Sequence, residues 1–399
     1  MTNLDYLYNK KDSRKFFRRN HFVDKNLSFK IIEHGIIFPH YKNLVADTAT
    51  LWWGRGGVVD NQGNFIEGSL VGKGTGGVYE TTEAIKKSSE TVIYLGLFAN
   101  SWGHAFTINF QRLWFLTSEL LANEFKNCPL VYLPWKNDTN NVHKLRNFRR
   151  MLEILGINPD SIQPITQPTQ FENVIVPDKS FFAHRGFRFT KEYRETIDRL
   201  RTFALKNRTS TASKKIYYFY GNIQVGEERI AEYFKSKGYE IVSPEKLTLD
   251  EQLNLLINCD SFASTLGSCA HNSVFLRDGT EAIFIPRSAN HFTGYQQALN
   301  QVHPINAYYV DSTLSLFGKI HGPNCFIISK QLKKFFGESF ESYDEVDFKI
   351  FLTYVKLSMR AGLKFNDKAL KYYAPIYQGF LEQLKQREDL LQAYGITLA

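Results

Sequence analysis

Hydrophobic positions fall into two trains of short apolar runs alternating with longer amphipathic segments. In the first train, TVIYLGLF (91–98) precedes a segment of helical periodicity over about 103–124, and PLVYLPW (129–135) precedes another over about 143–155. The short runs SIQPIT and ENVIVPD follow. Continuous apolar runs of this length read as strands buried on both faces, and segments of period 3.6 as the helices that cover them. The second train begins after the long helical segment KEYRETIDRLRTFALKN (191–207). It reads strand KIYYFYG, helix GEERIAEYFKSKG, strand YEIVSPE, helix TLDEQLNLLINC, strand SFAST, turn and helix LGSCAHNSVFLRDG, strand TEAIFIPR. Such alternation predicts an α/β protein with two doubly wound, Rossmann-like units.

The polar stretch RTSTASKK (208–215) breaks the periodicity and predicts a linker. It divides the chain into an N-terminal unit, 1–207, a C-terminal unit, 208–350, and a helical tail, 351–399. Residues 29–80 read differently, as short strands broken by glycine. Within them GKGTGG (72–77) lacks the Lys-Ser/Thr ending and the immediate helix of a phosphate loop, so it reads as hairpin turns. A length of 399 residues suits two such units. The cleft between them is the default site, because ligands of open α/β sheets bind at the carboxyl ends of the strands.

Charge changes this picture at three places. The net charge is +9, with basic clusters in NKKDSRKFFRRNH (9–21), in VHKLRNFRR (142–150) and from Arg185 to Lys215. Such clusters attract phosphates, anionic polymers or membrane headgroups. No zinc-finger spacing or RNA-binding aromatic consensus accompanies them, so no nucleic-acid partner is expected. The N-terminal cluster reads either as a solvated tail or as a contact with an anionic membrane surface. The chain has no run of 18 apolar residues and its first residues lack the apolar core of a signal peptide, which predicts a cytoplasmic protein, peripheral at most to the membrane. Four scattered cysteines without metal or disulfide spacing read as reduced thiols. Aromatics at 15% suit large cores and also sugar-stacking surfaces.

Two stretches carry candidate chemistry. In NSWGHAFTINFQRLWFL (100–116), His104 follows a strand near a helix start, with Asn109 placed to orient it and Arg112 on roughly the same face. A histidine there reads either as a general base or as a hydrogen-bonded helix-start residue. In STLGSCAHNS (264–273), small residues let backbone approach a ligand and a following helix would aim N–H groups at an anion. Gly267, Ser268 and Cys269 are then candidates to hold a diphosphate, Asn272 completes the turn, and His271 reads equally as phosphate donor or core residue. Arg185, Arg188 and Arg229 are candidate phosphate partners. Glu251 faces a nucleotide ribose or, at the favourable Thr248–Glu251 spacing, forms a capping box.

These two stretches, with Gly238, Pro244, Glu245, Leu247, Glu251 and Gln252, resemble glycosyltransferase family 61 over roughly residues 45–345. The family turn approximates Gly-x-His-Gly-Ala-x-x-x-Asn, matched here at Gly267, Ser268 and Asn272. The opening motif is matched by Trp102, His104, Arg112 and Leu113. The resemblance implies a GT-B-like fold, an acceptor-binding N-terminal unit and a donor-binding C-terminal unit. It also implies inverting transfer from a nucleotide-sugar donor to a glycan acceptor, without metal or cofactor, in bacterial capsule or exopolysaccharide synthesis; oligomerisation is left open. Three positions depart: the family aspartate is Ile108, a frequent arginine is Tyr220 and the turn histidine is Leu266. Those losses motivate an alternative, a noncatalytic GT-B-like protein that binds a glycan or scaffolds an assembly.

Overall fold

In the computed structural model, TVIYLGLF forms the strand Thr91–Phe98 at the middle of a five-stranded sheet, buried from Val92 onward. The structure describes residues 2–8, 10–41, 54–69, 79–139, 142, 145–182, 186–208, 214–221, 224–288, 292, 294–314, 316–317, 322–339, 348–363, 386, 389 and 392. The sheet order is Phe29–Glu33, Asn173–Pro177, Thr91–Phe98, Leu130–Pro134, Ile162–Pro164. The first pairing is antiparallel and the rest are parallel. A smaller sheet joins Arg55–Val59, Ile36–Tyr41, Thr169–Gln170 and Lys86–Lys87. GKGTGG and most of the RTSTASKK linker lie outside the described residues, as does nearly all of the tail beyond the helix Phe348–Arg360.

The second train forms a six-stranded sheet, ordered Thr2–Tyr6, Asn306–Val310, Glu281–Ile285, Cys259–Thr265, Lys214–Tyr218, Glu240–Val242. Every pairing in it is parallel. The chain is thus a mixed α/β protein. Its first strand, however, lies in the second sheet, outside the expected 1–207 grouping. Pairing of Thr2 with Ala307 and Asn3 with Tyr308 covers the sheet edge, and Leu4 and Leu7 bury in the core.

The N-terminal basic segment follows as the helix Lys10–Phe17. Its Phe17 ring lies 4.9 Å from that of Phe292 and 4.5 Å from that of Tyr309. The aromatic residues anchor this segment while Arg14, Arg18 and Arg19 stay exposed, so the helix is packed rather than a solvated tail.

The long helix Lys191–Lys206 buries Tyr193, Thr196, Ile197, Leu200 and Ala204 and packs against both Leu113–Thr117 and Leu249–Ile257. One continuous apolar cluster therefore runs from Phe106 and Phe110 through Leu200 to Leu253 and Phe275. The expected helix over 103–124 is broken instead into Trp102–Thr107, a 3-10 turn Asn109–Arg112, Leu113–Thr117 and Glu119–Glu124. Tertiary hydrogen bonds compete with the helical ladder there. The Gln111 carbonyl accepts from the Ser180 N–H at 2.7 Å and its hydroxyl at 3.0 Å.

Phe17→Ala should lower stability by about 2 kcal/mol, somewhat less than loss of a fully buried phenylalanine, whereas Arg18→Ala should be nearly neutral. Urea denaturation of both variants checks this, and equal stability would mean that the segment is not anchored.

Candidate active site

Strands of both sheets end at one cavity of about 870 Å³. Asn100, Ser101 and Trp102 follow Thr91–Phe98, and Tyr220 follows Lys214–Tyr218. Pro244, Glu245 and Lys246 follow Glu240–Val242, Ser268 and Cys269 follow Cys259–Thr265, and Arg287 follows Glu281–Ile285. Leu145, Arg146, Asn147 and Gln252 complete the lining. This is where parallel strands leave loops free to bind, and here the carboxyl ends of two sheets supply them.

Two close approaches shape the walls. A Cβ on Gly103 would stand 2.8 Å from Ser268 Oγ and 3.2 Å from His271 Cδ2, so the absent side chain lets the two walls meet. Beside it, Trp102 Nε1 donates to Asn272 Oδ1 at 3.3 Å. Gly267 has φ +150° and carries the Arg287 guanidinium across its Cα; a Cβ would lie 2.6 Å from Arg287 Cζ. Beyond the turn the expected helix is a six-residue 3-10 segment, Ala270–Phe275. Its side chains are tied inward: His271 Nδ1 bonds Gln296 Oε1 at 2.8 Å, and Gln296 Nε2 donates to Ser273 Oγ at 2.9 Å and Asn300 Oδ1 at 2.7 Å.

Residues 102–283 match the family model for Glycosyltransferase 61. Over this segment the chain is similar to that family. Its domain is that of a glycosyltransferase. No curated protein matches the chain significantly. The matched segment carries Trp102 on one wall of the cavity and Ser268 and Cys269 on the other.

The structure separates the proposed site residues of this glycosyltransferase. His104 is half-buried just behind Ser101, whose Oγ lies 2.8 Å from its Nδ1. Burial pulls the His104 pKa down to about 4. Asn109 accepts the Ala99 N–H at 2.9 Å and donates to the Ala99 carbonyl at 3.1 Å, closing the strand-to-helix corner. Arg112 is fully buried away from the cavity lining. It donates through Nε to the Pro177 carbonyl at 3.0 Å and through Nη2 to Gly68, and lies 5.4 Å from the Tyr94 ring centroid. Gly96, at φ +92°, leaves the space its Nη1 fills. Arg112 is a strut between chain segments.

On the donor side, Ser268 and Cys269 line the cavity, the Cys269 thiol pushed up to about 12 by burial. His271 is buried, its pKa drawn down to about 4 chiefly by burial, and Asn272 donates to the Cys269 carbonyl at 2.9 Å. These two brace the turn from behind. Glu251 forms the capping box with Thr248, whose N–H donates to its carboxylate at 2.7 Å. Arg229 is half-buried on the helix Glu227–Ser236 and outside the lining, and Arg188 is exposed. Arg185 lies outside the described residues. The departures are also explained: Ile108 packs with Tyr94 and Leu97, and Leu266 is core.

Sequence reasoning missed Ser101, Arg146, Asn147, Lys246 and above all Arg287. The signal for Arg287 was present, since it follows directly on the apolar strand of TEAIFIPR. Glu227 was missed as well. It is fully buried, accepts from the Tyr217 hydroxyl at 3.3 Å and Thr265 Oγ1 at 3.1 Å, and is pushed up to about 7 by burial.

Arg112→Met should destabilise the protein by about 3 kcal/mol or more by leaving buried carbonyls without donors. Chemical denaturation with activity normalised to folded protein checks this, and a stable variant with lost turnover would return Arg112 to the chemistry.

Proposed function

We propose that this glycosyltransferase moves a sugar from a nucleotide-sugar donor to a glycan acceptor with inversion at the anomeric carbon and without a bound metal. The observation that carries the reading is the cavity at which parallel strands of both sheets end, lined by Ser268 and by the exposed cations Arg146 and Lys246. In a GT-B-like arrangement the unit carrying Thr91–Phe98 takes the acceptor, and the unit carrying Cys259–Thr265 takes the donor. Capsule or exopolysaccharide synthesis in bacteria is the role we assign to it. The exposed arginines of the N-terminal helix suit a peripheral contact of a cytoplasmic protein with an anionic membrane face.

The chemistry needs a base and a stabilised leaving group. The acceptor hydroxyl gives its proton to His104 while its oxygen attacks the anomeric carbon. The bond from that carbon to the diphosphate oxygen breaks, and the nucleoside diphosphate leaves with the electron pair. Ser101 holds His104 at the cavity wall, and burial keeps the ring neutral at physiological pH, the state a base requires.

Two measurements test this. Nucleotide release from a panel of nucleotide sugars should identify a donor, and His104→Ala should lower turnover about 100-fold with the fold intact. A base whose pKa is lowered is neutral above that value, so the acid limb of the rate profile should fall near pH 4, not near 6.5. A panel without any turnover, or normal turnover in His104→Ala, overturns the donor reading and the base assignment respectively. Ser268→Leu should weaken binding of the donor nucleotide more than it weakens folding, as isothermal calorimetry on the folded variant would show.

A further inference from the structure

Resting on the donor reading above, we infer that Arg287 is the residue that grips the donor's diphosphate. Arg287 stands just past the carboxyl end of Glu281–Ile285 and lines the cavity beside Ser268 and Cys269, beyond the matched family segment. Three features distinguish it from the exposed cations Arg146 and Lys246. It is recessed, and burial draws its pKa down although a guanidinium remains charged. Its Nε is buried and has no hydrogen-bond partner. Gly267 is bare where the guanidinium crosses the turn, so the planar fork lies directly against the loop that would cradle an anion.

The surroundings supply the rest of the logic. Glu227 lies on the protein side, near enough for its carboxyl to feel the Arg287 charge, but its Oε1 is engaged by Tyr217 and Thr265. Among the described residues no carboxylate forms an ion pair with the fork, and Glu227 Oε2, like Arg287 Nε, is buried without a hydrogen-bond partner. A guanidinium presents five donors in a plane, a geometry that matches the oxygens of a phosphate. Tyr220, close enough to interact with it electrostatically, lines the same wall. The cation that the family pattern places at position 220 is supplied here from the end of a strand two places along the same sheet, Glu281–Ile285.

The test uses the full chain, with uridine, guanosine and cytidine diphosphates, the matched nucleosides and inorganic pyrophosphate as probes in calorimetry. Arg287→Gln should weaken the bound nucleoside diphosphate about 10- to 100-fold and leave the matched nucleoside unchanged. Arg287→Lys should restore part of the loss, because it keeps the charge and loses the fork. Gly267→Ala, which leaves Arg287 intact but occupies the space beneath its guanidinium, should weaken the diphosphate in the same selective way. Unchanged diphosphate affinity in Arg287→Gln, or an equal loss for nucleoside and diphosphate, overturns the inference while the donor reading stands. Arg287-dependent binding of pyrophosphate with no nucleoside diphosphate bound would support the anion site and overturn the donor reading. If wild-type protein binds neither pyrophosphate nor a nucleoside diphosphate, the inference falls.

Discussion

The approach of Gly103 to Ser268 and His271 is the constraint on which the rest of the site depends. Strands of the mixed five-stranded sheet and of the parallel six-stranded sheet end at the same cavity, and the gap between those ends is set by what stands at this contact. A side chain at position 103 would meet Ser268 Oγ and the His271 ring. Without one, Trp102 reaches across to Asn272, and the apolar cluster behind closes from Phe106 to Phe275 without interruption. The cavity is the space left in front of this seam. The residues that meet at the seam, Trp102 and Gly103 on one side and Ser268, His271 and Asn272 on the other, come from segments more than 150 residues apart in the chain.

Behind the seam, polar groups are used to hold shape. His271, Gln296, Ser273, Asn300 and Tyr309 form a buried chain of hydrogen bonds that ties the 3-10 segment to the strand Asn306–Val310. A buried network of this kind is worth having only when its members are satisfied, and it then specifies one arrangement. Behind the other wall Asn109 bonds the main chain of Ala99, and Arg112 bonds main chain through Nε and Nη2 while its Nη1 is buried without a hydrogen-bond partner. The chemistry-bearing residue types in this glycosyltransferase thus divide by depth. Those behind the seam brace the loops. Those in front, Ser101, Ser268 and Arg287, face the cavity with His104 just beneath.

The three departures from the family pattern take on a consistent meaning in this frame. At position 108 an apolar residue joins a core that includes Tyr94, Leu97 and Val131. Leu266 closes the end of its strand, its N–H donating to the Ile285 carbonyl at 2.8 Å. Tyr220 keeps its place on the wall, next to a guanidinium that reaches the same region from another strand. The cavity wall beside Tyr220 thus carries a guanidinium contributed by another strand.

Period and turn chemistry determined much of this by themselves. Apolar runs such as TVIYLGLF and the AIFIP of TEAIFIP read as strands of sheets covered on both faces, because neither face of them is polar. The Thr248–Glu251 capping box and the small-residue turn after SFAST are local signals found where the sequence placed them, although a 3-10 segment follows the turn in place of the expected helix. The depth of a polar side chain is not local. Nothing in NSWGHAFTINFQRLWFL distinguishes Asn109, which bonds Ala99, from a residue that orients His104, since the difference lies in how the helix sits on its strand. The helix itself breaks because Ser180, far along the chain, takes the Gln111 carbonyl. In the same way, the first strand pairs with Asn306–Val310 through backbone hydrogen bonds that carry no sequence signature, and Arg287 becomes a cavity residue only when its strand is set beside Cys259–Thr265. Hydrogen bonds between distant segments and the burial they impose were decided by the tertiary structure alone, because the partners that satisfy each polar group are brought together only by the fold.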